Sequence, residues 1–204
     1  MSTQLFFLHG FLGDPDDWKE VIAHLPSYSC KALSYPFELP SEGILIGYSM
    51  GGRIALTSSL PKIMISTHPG LTTTTEKEER WKQDQKWIDK LKTEPLSAFL
   101  HEWYSQPLFQ SLKAHPTFPD VLKRRLQQNP QLLIDQLEQY SLSRQPVCSL
   151  KDTTFMHGAL DEKYKALYRK LCLHSIEIQE AGHACHIEQP LQLAKAISSV
   201  ASIS

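Results

Sequence analysis

Ile44-Leu-Ile-Gly-Tyr-Ser49-Met-Gly-Gly-Arg53 is an apolar run of strand length that ends in Gly-x-Ser-x-Gly and continues into a helical pattern, Met50–Leu60. That combination describes a serine on a sharp, strained turn between a strand and a helix. The glycines are required because side chains on either side of the turn would collide with neighbouring backbone. Ser49 then projects above the strand ends at a helix N-terminus, where free N–H groups and partial positive charge favour developing negative charge.

Working outward, further strand-length apolar runs occur at Leu5–Leu8, Ala32–Tyr35, Ile63–Thr67, Thr154–His157 and Ile176–Gln179. Helical patterns follow several of them, at Asp16–Leu25, Glu162–Leu171 and Pro190–Ile203. Alternation of this kind predicts an α/β fold, with about six mostly parallel strands and helices on the faces of the sheet. Residues 72–145 break the alternation. They are polar and helical in pattern, and Pro95, Pro107, Pro116, Pro119 and Pro130 divide them into short helices. We expect a helical cap over 72–145, inserted into a core made of 1–71 and 146–204. Thr72–Thr75 offers N-caps for a helix opening at Glu76.

The first strand leads into His9-Gly-Phe11. In a fold built around such an elbow, the α/β-hydrolase fold, this loop supplies one N–H of an oxyanion hole, and the residue after the serine supplies the other. Phe11 and Met50 are the expected donors, with His9 a hydrogen-bonded loop residue. The chain order Ser…Asp…His of that fold selects Asp161, after the strand Thr154–His157, and His183, in Ala181-Gly-His183 after the strand Ile176–Gln179. Both follow the C-terminal ends of strands, on the edge that carries Ser49. Asp152 precedes its strand and falls at the opposite end. His183, Cys185 and His186 lack further ligands at metal-site spacing, so no metal is expected.

The stretches FLHGFLGDPDDW, GYSMGGRIAL, HPGL, EERWKQDQKW, TEPLSAFLHEWYSQPLFQSL, SLSRQP and AGHACHIEQP run from Phe7 to Pro190 with one gap. Together they resemble the 2-succinyl-6-hydroxy-2,4-cyclohexadiene-1-carboxylate synthase family of the menaquinone pathway. The cap segment WYSQPLF is the specific part, since GYSMGG and AGH occur in many hydrolase-fold enzymes. The resemblance implies a lyase that eliminates pyruvate, with Ser49, Asp161 and His183 as its triad and no cofactor. It also implies that Tyr48, Arg53, Arg80, Trp103 and Arg124 contact a small polyanionic substrate. Guanidinium groups suit such a ligand because they bind carboxylates through paired N–H donors. The same triad would serve an esterase or thioesterase, and a non-catalytic binding protein is a third reading.

The sequence departs from the family at Ser34–Gly43, where relatives carry a longer loop and a helix. Seven or eight extended residues reach about 25–28 Å, enough to pass over the first strand but not to form a helix as well. A thin cover on one sheet face is therefore expected, with exposed apolar surface that a second subunit would hide; monomer and homodimer both remain open. The chain opens on the strand before His9, without the two antiparallel strands that often precede it. Net charge is −1 over 204 residues, which argues against nucleic acid and anionic membranes as partners. No signal-like N-terminus or membrane-length apolar run is present, and the four cysteines form no Cys-x-x-Cys pair, so a cytoplasmic protein is expected.

Overall fold

A computed structural model describes residues 3–202. Six strands form one sheet: β1 Gln4–Leu8, β2 Ser29–Leu33, β3 Ile44–Tyr48, β4 Lys62–Ile65, β5 Thr153–Gly158 and β6 Ser175–Ile178. Their order is β2-β1-β3-β4-β5-β6, and every pairing is parallel. Around them lie α1 Lys19–Ala23, α2 Met50–Ala55, α3 Thr74–Thr93, α4 Leu96–Trp103, α5 Gln110–Ala114, α6 Phe118–Arg125, α7 Pro130–Gln139, α8 Glu162–Lys170, α9 Cys185–Glu188 and α10 Pro190–Ala201. Short 3-10 turns occupy Pro15–Trp18, Pro107–Phe109 and Leu142–Arg144. Strand order reverses direction at β1, and the loops after β1 and β3 meet there. Open α/β sheets bind ligands at such a point.

Strand residues alternate between two buried clusters, as the two-residue side-chain period requires. Phe7, Ile46, Ile63 and Met156 face one cluster with Trp18, Val21 and Ile197. Leu8, Leu45, Met64 and Phe155 face the other, with Met50, Ile54 and Tyr168. With both faces covered, the central strands read as continuous apolar runs rather than alternating ones. The helices between β4 and β5 join the first cluster through Ile88, Leu91, Phe99, Leu133 and Ile134.

Several elements differ in extent from the sequence reading. β4 stops at Ile65 because Ser66 turns to φ 44°, out of the extended region. β2 begins earlier than expected; at the sheet edge its exposed Ser29 and Lys31 alternate with half-buried neighbours, which hides it from a search for apolar runs. α2 ends at Ala55, where Thr57 and Ser58 form three-residue turns to Ile54 and Ala55 instead of extending the helix. α3 opens at Thr74 rather than Glu76. Thr73 is its N-cap, and Glu76 reaches back to the Thr73 N–H to complete a capping box. The expected helix end at Ile203 lies outside the described residues.

Residues 34–43 cross over with neither helix nor strand, as the short connection requires. Within 34–43 the expected exposed apolar surface is not found, so that stretch gives no ground for a covering subunit. Phe37 and Leu39 of the crossover itself pack against the second cluster, and no large exposed apolar residue falls within 34–43.

Candidate active site

β3 delivers Ser49 at φ 51°, ψ −109°, a backbone region that non-glycine residues enter only where the surroundings enforce it. The enforcement is visible at Gly51: a Cβ there would run into the carbonyl oxygens of Leu8 and His9. A Cβ at Gly47 would likewise strike the backbone of Gly52. The elbow is thus wedged against the end of β1. His9 is buried and its Nδ1 contacts the Gly10 carbonyl at 2.9 Å, in keeping with a structural role. Met50 is the first residue of α2 and Phe11 borders the serine. Among the described residues neither main-chain N–H is used in a turn, loop or cap hydrogen bond.

Asp161 caps α8, with Oδ1 accepting from Tyr164 N at 3.2 Å. Its Oδ2 faces His183 Nδ1 at 2.8 Å and accepts from Ser66 Oγ at 3.0 Å. Burial alone would raise this carboxyl. The hydrogen bond and charge of His183, with those of Tyr164 N–H and Ser66, outweigh that effect and hold its pKa below the usual carboxylate range. An ionised Asp161 accepts, so Nδ1 of His183 carries the proton and Nε2 is left as the basic atom. The imidazole is fixed by rings on three sides: Tyr164 at 5.1 Å, Tyr48 at 5.2 Å and Phe109 at 5.7 Å between centroids.

Ser49 and His183 line one cavity of about 40 Å³, together with Tyr48, Phe11 and Trp103. Among the described residues no hydrogen bond joins Ser49 to His183. Trp103 belongs to an aromatic layer, 4.9 Å from Phe11 and 5.0 Å from Trp87.

The arginines divide. Arg124 does not line the serine's cavity. Its guanidinium is tied to Asp17 at 2.7 Å and to Asp14 at 3.4 Å. The neighbouring residue, Arg125, is the one at the cavity wall, buried and bonded to Asp14 at 2.8 Å and Asp17 at 2.5 Å. Arg53 also lies off that cavity: it donates to the Tyr140 carbonyl and borders a groove of about 430 Å³ beside Phe37, Leu39 and Arg144. Arg80 is held by Asp84 at 2.8 Å, and Ser141 Oγ donates to the other oxygen of Asp84 at 2.6 Å. Arg53 and Arg80 nevertheless share one neighbourhood. Burial and the charge of Arg80 push Arg53 down to about 10. Burial and the charges of Arg53, Arg80 and Lys163 push His68 down to about 4. Tyr164, packed on His183, also feels both arginines. Arg53, Arg80 and Lys163 therefore concentrate positive charge around His68, and the two arginines also act on Tyr164.

Sequence reasoning missed Arg125, Phe109 and Ser66, and weighed His186 only as a rival to His183 or a metal ligand. His186 is fully buried between the rings of Trp18 (4.7 Å) and Tyr48 (4.2 Å), and neither ring nitrogen has a hydrogen-bond partner among the described residues. Burial pushes its pKa down to about 3. The folded chain therefore excludes a proton that the unfolded chain, at 6.5, takes up. That stabilisation is complete above pH 6.5 and is lost as the pH falls toward 3. Urea titrations from pH 7 to pH 4 should show stability falling by up to about 1.4 kcal/mol per pH unit for this proton. His186→Phe should flatten the slope by that amount, and an unchanged slope would refute the assignment.

No known family model matches the chain. The 2-succinyl-6-hydroxy-2,4-cyclohexadiene-1-carboxylate synthase of Escherichia coli (strain K12 / DH10B) is 32% identical over 237 residues, covering 98% of this chain and 92% of the relative. The chain belongs to the 2-succinyl-6-hydroxy-2,4-cyclohexadiene-1-carboxylate synthase family. The synthase of E. coli O7:K1 is 31% identical with the same coverage. These alignments are longer than the 204-residue chain, so these synthases carry segments that it lacks. Among solved structures, MenH from S. aureus superposes with a TM-score of 0.86 at 23% identity, covering 98% of this chain and 94% of that one. A thermophilic esterase from Thermogutta terrifontis reaches a TM-score of 0.70 at 18% identity, covering 98% and 89%. At these identities the two likenesses show the α/β-hydrolase fold alone. The synthase family makes the chain an enzyme, and its fold is the α/β-hydrolase fold.

Proposed function

We propose that the chain is a lyase that eliminates pyruvate from 2-succinyl-5-enolpyruvyl-6-hydroxy-3-cyclohexene-1-carboxylate, giving 2-succinyl-6-hydroxy-2,4-cyclohexadiene-1-carboxylate in menaquinone biosynthesis. The carrying observation is that a member of this synthase family has Ser49 and His183 on one cavity, with Asp161 bonded behind the imidazole. His183 Nε2 takes the hydroxyl proton of Ser49, and Ser49 Oγ removes a carbon-bound proton of the substrate. The released electron pair forms a new ring double bond as the carbon–oxygen bond to the enolpyruvyl group breaks. The departing enolate is protonated to pyruvate. Asp161 stabilises the imidazolium, and the N–H groups of Phe11 and Met50 stabilise negative charge that develops on the substrate.

A cavity of about 40 Å³ is well below the roughly 300–1,000 Å³ of ordinary ligand sites. Binding of a substrate of this size therefore requires the cavity to widen. Substrate carboxylates are then met by Arg125 at the wall and by the Arg53–Arg80 neighbourhood near Tyr164. Arg124 acts at one remove, by sharing Asp14 and Asp17 with Arg125. Four unpaired cysteines suit the reducing cytoplasm, and no helix of the described residues is long and apolar enough to cross a membrane.

The test is pyruvate release from the pathway substrate, followed through lactate dehydrogenase. Wild type should turn over, and Arg53→Ala should lower kcat/KM about tenfold or more, as loss of a charge-assisted contact does. Absence of pyruvate, with Ser49-dependent cleavage of short acyl esters, would transfer the assignment to a serine esterase with the same triad.

A further inference from the structure

His183 is anchored at its ring by Asp161, but its main chain lies in a loop, Glu180–Ala184, between β6 and α9. Loops do not hold a side chain to a fraction of an ångström unless something fixes their backbone. Here that something is a buried carboxylate. Glu188, the last residue of α9, is 5% exposed and belongs to no ion pair among the described residues. Its Oε2 accepts from Gly182 N at 2.8 Å and its Oε1 accepts from Ala184 N at 3.1 Å. These are the peptide N–H groups immediately before and after His183. Both oxygens are therefore committed to the two residues that flank the base.

The one-turn helix α9 makes this reach possible. The N–H groups of Ile187 and Glu188 bond to the Ala184 carbonyl, and that of Gln189 bonds to Cys185. The turn folds position 188 back beneath position 183. Pro190 then starts α10, so Glu188 sits between the catalytic loop and a helix packed in the core. Gly182 adds a steric limit, because a Cβ there would strike Ser111 and crowd Glu188 Oε2.

We propose that Glu188 is a positioning residue for His183: its two charge-assisted hydrogen bonds clamp the backbone on either side of the base and hold Nδ1 against Asp161. A carboxylate is needed because it is acceptor-only on both oxygens. The isosteric amide keeps one acceptor and turns an NH₂ donor toward the other peptide N–H. One of the two bonds is lost at almost no change in volume.

This inference rests on the proposed role of His183, so the experiment has a readout that needs no reaction. Low-field proton NMR of the substrate-free protein follows the imidazole N–H in the Asp161–His183 bond. In Glu188→Gln that resonance should shift or broaden by exchange, while the thermal transition stays cooperative. In the pyruvate assay kcat should fall about 10- to 100-fold, the scale of a misplaced catalytic group, with KM within about twofold. If Glu188→Gln does not fold, Glu188→Asp, which cannot span both N–H groups, is read the same way. An unchanged resonance with kcat within twofold of wild type would overturn the proposal. So would a rise in KM at unchanged kcat, which would move Glu188 to substrate binding. If the wild-type enzyme releases no pyruvate, the lyase reading fails, and the NMR comparison still decides the clamp.

Discussion

Ser49→Ala is expected to lower pyruvate release by more than about 10³-fold while leaving the melting temperature within a few degrees. In the proposed mechanism the substitution removes the atom that takes up the substrate proton, and losses of a triad serine in serine enzymes are of this size or larger. Folding should be spared, because alanine meets the same backbone demand at φ 51° that serine does and Ser49 makes no side-chain hydrogen bond among the described residues. The measurement is a single-turnover pyruvate assay beside a calorimetric scan. A variant that keeps a tenth or more of wild-type turnover would remove Ser49 from the chemistry. The reaction would then belong to His183 acting directly, or to a water held in the small cavity. A large loss of melting temperature would instead make the activity loss uninformative, and a comparison with Ser49→Cys would then be required.

The second large effect is structural. Asp17 accepts from Arg125 at 2.5 Å and from Arg124 at 2.7 Å, and the Asp17 and Arg125 side chains are 2% and 3% exposed. Burial alone would raise Asp17. The charge of Arg125, with the hydrogen bonds of the Arg125 and Arg124 guanidinium groups, holds it below the usual carboxylate range. Asp17→Ala leaves Arg125 buried with only Asp14, and breaking a buried pair in this way costs about 3–5 kcal/mol. In a domain of this size that is a fall in melting temperature of about 6–20 °C. Because Asp17 sits in the turn Pro15–Trp18 and Arg125 ends α6, the pair ties the helices between β4 and β5 to the segment after β1. Asp17→Leu with Arg125→Met, which replaces both charges by apolar groups, should recover much of the loss. If Asp17→Ala costs less than about 1 kcal/mol, the network is dispensable and Asp14 or water satisfies Arg125. The sign with pH follows from the depressed folded pKa: this stabilisation is present above the unfolded value of 3.8 and is lost as the pH falls through the lower folded value.

Much of the architecture is written in short segments of the chain. The apolar runs Leu5–Leu8, Ile44–Tyr48 and Thr154–His157 all lie in strands, because a strand buried on both faces needs nothing beyond its own residues to declare itself. The elbow is local in the same sense: Gly47, Ser49 and Gly51 lie within five residues, and the turn they form fixes where the serine points. Chain order within the fold then leaves few places for Asp161 and His183. Length alone decided that Ser34–Gly43 could not hold a helix.

What the sequence could not decide depends on which groups meet across long separations. Successive residues of a helix point about 100° apart, so the adjacent pair Arg124-Arg125 puts only one member at the cavity, and local pattern does not distinguish them. The packing of α6 against Asp14 and Asp17, more than a hundred residues earlier, chooses Arg125. Arg53 is near Ser49 in sequence, yet its guanidinium turns to Tyr140, 87 residues on, because the carbonyl at the end of α7 meets it there. The cover supplied by Phe37 and Leu39 and the clamp of Glu188 on the His183 loop are contacts of the same kind. The sequence by itself determined the buried central strands and the elbow, since both follow from short-range sterics and apolar periodicity, and the chain order of the fold then pointed to Asp161 and His183. Tertiary structure alone decided which charges are paired and which face the cavity, since hydrogen bonds and ion pairs form with whatever the folded chain brings within about 3 Å.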